Sequence, residues 1–381
     1  MKVLIFSVSA GAGHMAAAQA IKEYIDECHS DSQAMVIDTL KYISPLVDKL
    51  IIGGYIGTVK ATPLIYKKLY EYAEKGEGIL EATQKFNKFM SNHILDLIRD
   101  YQPDVMATTH PFPMEMIATL KQKKIINTPL LAIITDFTVH AMCVHPMVDG
   151  YVIANEDIRH DLINKDIPED KIFPLGIPVH HRFTAHVDKS SIKKRLDFED
   201  APVVLVMGGS LGMGQIKKIY KALVDSSLDI QLIIVTGTNK KLKTQLDELV
   251  INAPKRVMVL GYSDNIHQLM SVADIIITKP GGLTISEAMI KHLPMVVISP
   301  IPGQEEQNAQ YVINMGIAAK ISNSNDCATV VAQLLENPQR LKHMREMALL
   351  KAKPNACKDI THLMFRMCSS DSVEKRNFAG K

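Results

Sequence analysis

Short runs of β-branched and aliphatic residues alternate with helical patterns along most of the chain, and this alternation constrains the fold more than any other feature. The first half carries "VLIFSV", "AMVID", "DVMATT", "LLAIIT" and "GYVIA". The second carries "VVLVM", "QLIIVTG", "RVMVLG", "DIIIT" and "MVVIS". Strands separated by helix-length segments predict parallel sheets with crossover helices, an α/β fold built from doubly wound units. A chain of 381 residues exceeds one ordinary hydrophobic core, so two such domains are expected. The break falls at "PLGIPVHHRF", where Pro174, Gly176 and Pro178 interrupt regular structure, and the hinge is placed near residues 176 to 188. The expected division is 1–178, 179–353, and a C-terminal segment 354–381 made of one apolar-periodic stretch, "ITHLMFRMC", and a frayed polar tail.

Hydrophobic residues at 47% and charged residues at 22% fit a soluble globular protein with a full core. A net charge of +2 argues against a dedicated nucleic-acid binder. Cys28, Cys143, Cys327, Cys357 and Cys368 are scattered without a C-x-x-C pair, which predicts neither disulfide framework nor zinc knuckle and fits a reducing cytosol. The start imitates a secretory signal, but the apolar run is too short. No run approaches a transmembrane span, so the expectation is a protein that is soluble or lies on a membrane surface.

Open parallel sheets bind ligands at the carboxyl ends of their strands, so the strand-to-helix loops carry the chemistry. The first, Gly11-Ala12-Gly13-His14-Met15-Ala16, reads G-x-G-x-x-A and is followed by Asp38 at the next strand end, which imitates a dinucleotide fingerprint. An NAD-dependent oxidoreductase is therefore a competing class. His14 is the informative residue there. A histidine at a helix start sits by the strand ends, titrates in the range useful to a base, and is favoured as the neutral form by the positive helix end. A turn-capping role for it is the structural alternative.

The second loop is Lys279-Pro280-Gly281-Gly282-Leu283-Thr284-Ile285-Ser286-Glu287. Thr284 to Glu287 matches a capping box, with Glu287 in the first turn, and that structural role alone would account for Glu287. It leaves the glycine pair unexplained. Glycines before a helix N-terminus let an anion approach the backbone amides, and a carboxylate further in can accept bonds from the vicinal hydroxyls of a ribose. The spacing suits a nucleoside diphosphate. Gly208, Gly209 and Ser210, in "VMGGSLGMG", can face the same phosphates, although the G-K-[ST] of a P-loop is absent. Gly261 and Tyr262 lie at a third strand end, where a base can be read, and Gln304, Glu305 and Asn308 at a fourth, where amides and a carboxylate suit sugar hydroxyls.

Together "GAGH" at 11, "GGS" at 208, "LGY" at 260, "KPGGLTISEA" at 279 and "PGQEEQNA" at 302 resemble glycosyltransferase family 28 over nearly the whole chain. Within it the chain is most similar to the diacylglycerol glycosyltransferases of Gram-positive bacteria and the plant monogalactosyldiacylglycerol synthases, and "ITDFTVHAMCVH" resembles the same subgroup. The resemblance implies a GT-B fold with two Rossmann-like domains, an N-terminal one for a lipid acceptor and a C-terminal one for a UDP-sugar. It implies inverting transfer of a hexose, from UDP-glucose or UDP-galactose, to diacylglycerol or a glycosyldiacylglycerol. Alternatives are a relative acting on another lipid-linked acceptor and a UDP-sugar epimerase. By the same resemblance Glu287 binds ribose, Gly281 to Thr284 the diphosphate, and Gln304 with Glu305 the hexose. His14 is the implied base, with Asp136 as runner-up or orienting partner.

No D-x-D triplet occurs, so no metal and no cofactor beyond the UDP-sugar co-substrate is expected. Residues 41 to 70 mix an apolar stripe with Lys41, Lys49, Lys60, Lys67 and Lys68 against the single acid Asp48. Such a segment suits the surface of an anionic membrane, which predicts a cytoplasmic protein peripheral on the inner face of the cell membrane. An ordinary core helix with solvated lysines is the plainer reading.

Overall fold

The computed structural model describes residues 1–9, 12–44, 93–185, 187–298 and 300–378. They divide into two compact units, one of Met1–His180 with Pro302–Gln304 and Lys353–Lys381, the other of His181–Ile301 with Glu305–Ala352.

The first unit is built on six parallel strands: β1 (Lys2–Ser7), β2 (Gln33–Asp38), β3 (Val105–Thr108), β4 (Leu130–Ile133), β5 (Gly150–Val152) and β6 (Ile172–Phe173). Their order in the sheet is β2-β1-β3-β4-β5-β6. The chain leaves β1 toward one edge and returns on its other side at β3. A crevice at the carboxyl ends of β1 and β3 follows from that reversal. Helix α1 (Gly13–Cys28) crosses from β1 to β2 and buries Ala17, Ala18, Ile21 and Ile25, the 3.6-residue spacing of one face. Helix α2 (Pro111–Gln122) follows β3 and starts on Pro111, whose missing N–H is not needed in a first turn.

In the second unit β7 (Val203–Met207), β8 (Gln231–Val235), β9 (Val257–Leu260), β10 (Ile275–Thr278), β11 (Met295–Ile298) and β12 (Ala318–Ile321) form a second parallel sheet. Its order, β12-β11-β10-β7-β8-β9, puts the reversal between β7 and β10. The helices that matter below are α3 (Lys189–Arg195), α4 (Ile216–Val224), α5 (Lys240–Val250), α6 (Ile266–Val272), α7 (Gly282–Ile290), α8 (Gln304–Asn314), α9 (Cys327–Leu335) and α10 (Pro338–Lys351). Val204, Val206, Leu232, Ile234, Ile275 and Ile277 lie in the core of this unit, as expected for strands covered on both faces.

Helix α11 (Ala356–Phe378) returns to the first unit, where Ile360, Leu363 and Met364 join Ile21 and Ile25 in one core. Its backbone stays helical through the polar stretch expected to fray, because no glycine or proline interrupts it.

Candidate active site

The carboxyl ends of β1 and β3 gather a polar cluster. His14, in the first turn of α1, places Nδ1 2.9 Å from the Thr109 carbonyl oxygen and 2.7 Å from Thr135 Oγ1. A carbonyl only accepts, so the proton sits on Nδ1 and is shared with the hydroxyl oxygen. Nε2 then keeps its lone pair, and it has no hydrogen-bond partner among the described residues. The Thr109 hydroxyl donates to Ser7 Oγ at 2.8 Å and lies 3.0 Å from the His14 carbonyl, tying β1, α1 and the end of β3 together.

Burial holds the His14 imidazole below its usual pKa, while the Asp136 carboxylate and the Thr109 carbonyl push the other way. The neutral base is therefore the resting form at neutral pH. His110 packs edge-on against His14, with ring centroids 4.8 Å apart, and accepts a bond from the Phe112 amide on Nδ1. Burial, and then the neighbouring His14, keep its pKa well below the usual value, so it is a neutral wall. His14, Thr109, His110, Ile134, Thr135 and Asp136 line a cavity of about 20 Å³, room for a single water or hydroxyl. His110 and Thr135 were not singled out from the sequence. Their signal was position, just after the carboxyl ends of β3 and of its neighbour β4.

Helix α7 differs from the sequence expectation. It begins at Gly282, with Gly281 as N-cap in extended conformation and no side-chain cap. Glu287 thus stands in the second turn, and the Thr284–Glu287 capping box does not form. The helix starts early because Pro280 and the extended Gly281 complete the turn, leaving Thr284 already helical. The role that would have explained Glu287 structurally is absent. Its carboxyl makes no hydrogen bond or ion pair among the described residues, and burial pushes its pKa up to about 8, although part of its surface stays open. Ahead of it the amides of Gly282, Leu283 and Thr284 have no backbone acceptor among the described residues. The first helical bond here runs from Ile285 to Gly281.

Among the described residues a methyl group at Gly281 would meet nothing within 4 Å, so their packing does not account for that glycine. Gly208 is the opposite case: a Cβ there would strike the Met213 carbonyl at 2.1 Å. Gly209 takes φ +70° with open space around it. Ser210 presents its carbonyl to the Thr238 amide at 2.8 Å, which locks this loop to the one after β8. The loops after β7 and β10 flank the reversal in the sheet. Gly261 makes only ordinary contacts, and Tyr262 beside it is 65% exposed.

The fourth loop separates into two kinds of residue. Glu305 pairs with Lys279 at 2.9 Å and accepts the Ile301 amide at 2.7 Å, and buried Asn308 donates to the Pro280 carbonyl at 3.1 Å. Both hold the Lys279–Gly282 turn in place. Gln304, partly exposed at the start of α8, makes no hydrogen bond among the described residues. Gly13 opens α1 beside His14. No group of three or more His, Cys, Asp or Glu side chains among the described residues is placed to hold a metal ion. No helix among them is long and apolar enough to cross a membrane. Most of the lysine-bearing stretch 41 to 70 lies outside the described residues.

The monogalactosyldiacylglycerol (MGDG) synthase family profile matches residues 14–179, and the glycosyltransferase family 28 C-terminal domain profile matches residues 203–360. The processive diacylglycerol β-glucosyltransferase of Bacillus pumilus SAFR-032 is 31% identical over 352 residues, covering 91% of this chain and 89% of the relative. The Staphylococcus carnosus TM300 protein of the same name is 27% identical over 371 residues, covering 95% and 93%. Among solved structures, MurG of Acinetobacter baumannii superposes with a TM-score of 0.65 at 16% identity, covering 96% of this chain and 99% of that one. The UDP-GlcNAc 2-epimerase of Neisseria meningitidis, bound to UDP-GlcNAc, gives 0.63 at 18%, covering 96% and 100%. Two parallel-sheet α/β units of six strands each, matched over their length by such neighbours, are the GT-B fold. With that extent of identity, the chain belongs to the glycosyltransferase family that contains the processive diacylglycerol β-glucosyltransferases.

Proposed function

We propose that the protein transfers a hexose, glucose in preference to galactose, from a UDP-sugar to diacylglycerol or a glycosyldiacylglycerol, with inversion at the anomeric carbon. The observation that carries the donor assignment is the pairing of acceptor-free amides at Gly282 to Thr284 with the unpartnered Glu287 carboxylate. A helix rises 1.5 Å per residue, so Glu287 stands about 6 Å along the axis from Leu283. That step fits a diphosphate on the amides and a ribose on the carboxylate. Gly281 leaves the anion room, Gly209 and Tyr262 offer open surface at the neighbouring strand ends, and Gln304 offers an amide to the sugar.

In the transfer, the acceptor hydroxyl gives its proton to His14 Nε2 as its oxygen bonds to the anomeric carbon. The bond from that carbon to the diphosphate oxygen breaks, and UDP leaves with the electron pair. UDP-glucose is α-linked, and the relatives are named β-glucosyltransferases. One displacement with one base gives that change of configuration. The negative charge gathering on UDP is met by the α7 amides and the positive helix end, which need no metal ion. Asp136, which favours protonated His14, stabilises the imidazolium that forms. An acceptor of this kind resides in a bilayer, so the protein works as a peripheral enzyme on the inner membrane face. Calorimetric titration with UDP, UDP-glucose, UDP-galactose and NAD tests the donor half. Tight binding of NAD with none of the UDP compounds would overturn it.

A further inference from the structure

The second unit carries a basic pocket that the transfer reaction does not use. Lys189 at the start of α3, Lys291 and His292 just after α7, and Lys342 and Arg345 on α10 line a cavity of about 270 Å³. The acid that lines it with them is Glu346, 3.8 Å from Lys342, and Arg345 reaches Asp274 at 3.7 Å. Lys189 and Lys291 form no ion pair among the described residues; Lys291 makes only a long bond, 3.5 Å, to the Ala185 carbonyl. Burial and then Lys189 hold the Lys291 ammonium below its usual pKa, so the cluster repels itself as it stands. His292 adopts φ +51°, the left-handed region that glycine would occupy at less cost. Self-repulsion and an unfavourable backbone are both costs to folding. An anion in the cavity would offset the first.

The pocket also has an apolar lip. Leu349 lines it and is 57% exposed, and Leu350 beside it is 71% exposed. Neighbouring exposed leucines at the end of a cationic helix are costly in water and favourable at a bilayer surface. We infer that this pocket takes the phosphate of an anionic phospholipid headgroup, with Leu349 and Leu350 entering the acyl boundary. The site belongs wholly to the second unit and is built from residues other than those assigned to donor or base. Cations and apolar side chains at one surface favour a lipid phosphate over a free one, which would leave the leucines in water.

The test is partition of the full-length protein onto vesicles, measured without donor or acceptor so that the transfer reading is not at stake. Each lysine near an anionic surface contributes about 1 kcal/mol, so Lys189→Gln/Lys291→Gln should bind equimolar phosphatidylcholine–phosphatidylglycerol vesicles about 30-fold more weakly. A control with the same charge loss, Lys218→Gln/Lys221→Gln on the exposed face of α4, should stay within about threefold of wild type. Binding to pure phosphatidylcholine should not distinguish the three proteins. A second pair, Lys189→Gln/Lys342→Gln, repeats the test without touching the end of α7, and an unchanged far-ultraviolet circular dichroism spectrum certifies the fold of each variant. Unchanged partition, or equal loss in pocket and control variants, would overturn the site. Inorganic phosphate raising the melting temperature of wild type but not of the pocket variants, with vesicle binding unaltered, would overturn the lipid assignment.

Discussion

Replacing Glu287 with glutamine should make the ligand-free protein more stable while weakening its hold on UDP. Burial raises the carboxyl from 4.5 to about 8, so between those values the folded protein binds more protons than the unfolded chain. Stability then falls as pH rises through that window and stays low above it. The whole gap corresponds to about 5 kcal/mol. Water reaching the partly open side chain reduces this, and we expect about 1–3 kcal/mol. Glutamine has nearly the same shape and no charge to desolvate. For a unit of this size, each kcal/mol moves the melting temperature by roughly 2–4 °C. Glu287→Gln should therefore melt about 2–12 °C above wild type at pH 8.5, with the difference closing as pH falls to 4.5. Ribose hydroxyls favour the charged carboxylate, so UDP binding to wild type at pH 7 should release a proton, seen as a buffer-dependent heat that the variant lacks. The variant should bind UDP more weakly by about 1–3 kcal/mol. A variant that melts lower at pH 8.5, or one with undiminished UDP affinity, would refute the reasoning.

His14→Ala should lower turnover by about 10²- to 10⁴-fold with UDP affinity intact, as measured by initial rates and calorimetry. A folded variant turning over at near-normal rate would pass the base to Asp136, tested by Asp136→Asn. In wild type at saturating UDP-sugar, where Glu287 is already ionised against the donor, kcat should fall only as pH drops below 6.5, because His14 must be neutral and its pKa is lowered; a half-point above 6.5 would contradict the assignment. Gly281→Val should leave folding within about 1 kcal/mol, since nothing lies within 4 Å of the added Cβ, yet weaken UDP binding by about tenfold or more as the side chain blocks the amides. Initial rates in EDTA should equal those in magnesium, and loss restored by a divalent ion would refute the metal-free scheme.

Ten of the strands described here were legible as apolar runs, because parallel strands covered on both faces cannot afford polar residues. β6 was not, being the two residues Ile172–Phe173 at a sheet edge. β12, Ala318–Ile321, hid in an alanine-rich segment containing an exposed lysine. Glu287 was singled out as a ribose ligand, with a capping box as the plain alternative; the box pattern was visible in the sequence, and only the backbone could say that the helix begins at Gly282, so that the box does not form. Glu305 and Asn308 were legible as polar groups at a strand end, whereas their bonds to Lys279, the Ile301 amide and Pro280 depend on how that strand-end loop folds back. His110 and Thr135 come to His14 from sequence separations of about a hundred residues. The basic pocket draws Lys189, Lys291 and Lys342 from three distant segments, and no local pattern announces it.

The most direct measurement supplies UDP-glucose, radiolabelled in the sugar, with vesicles containing diacylglycerol, and reads the lipid product and its anomeric configuration by NMR. The account predicts a β-linked glucosyldiacylglycerol from wild type and almost none from His14→Ala, with UDP binding unchanged in that variant. Free glucose without a lipid product, an α-linked glycolipid, or full transfer by His14→Ala would contradict it.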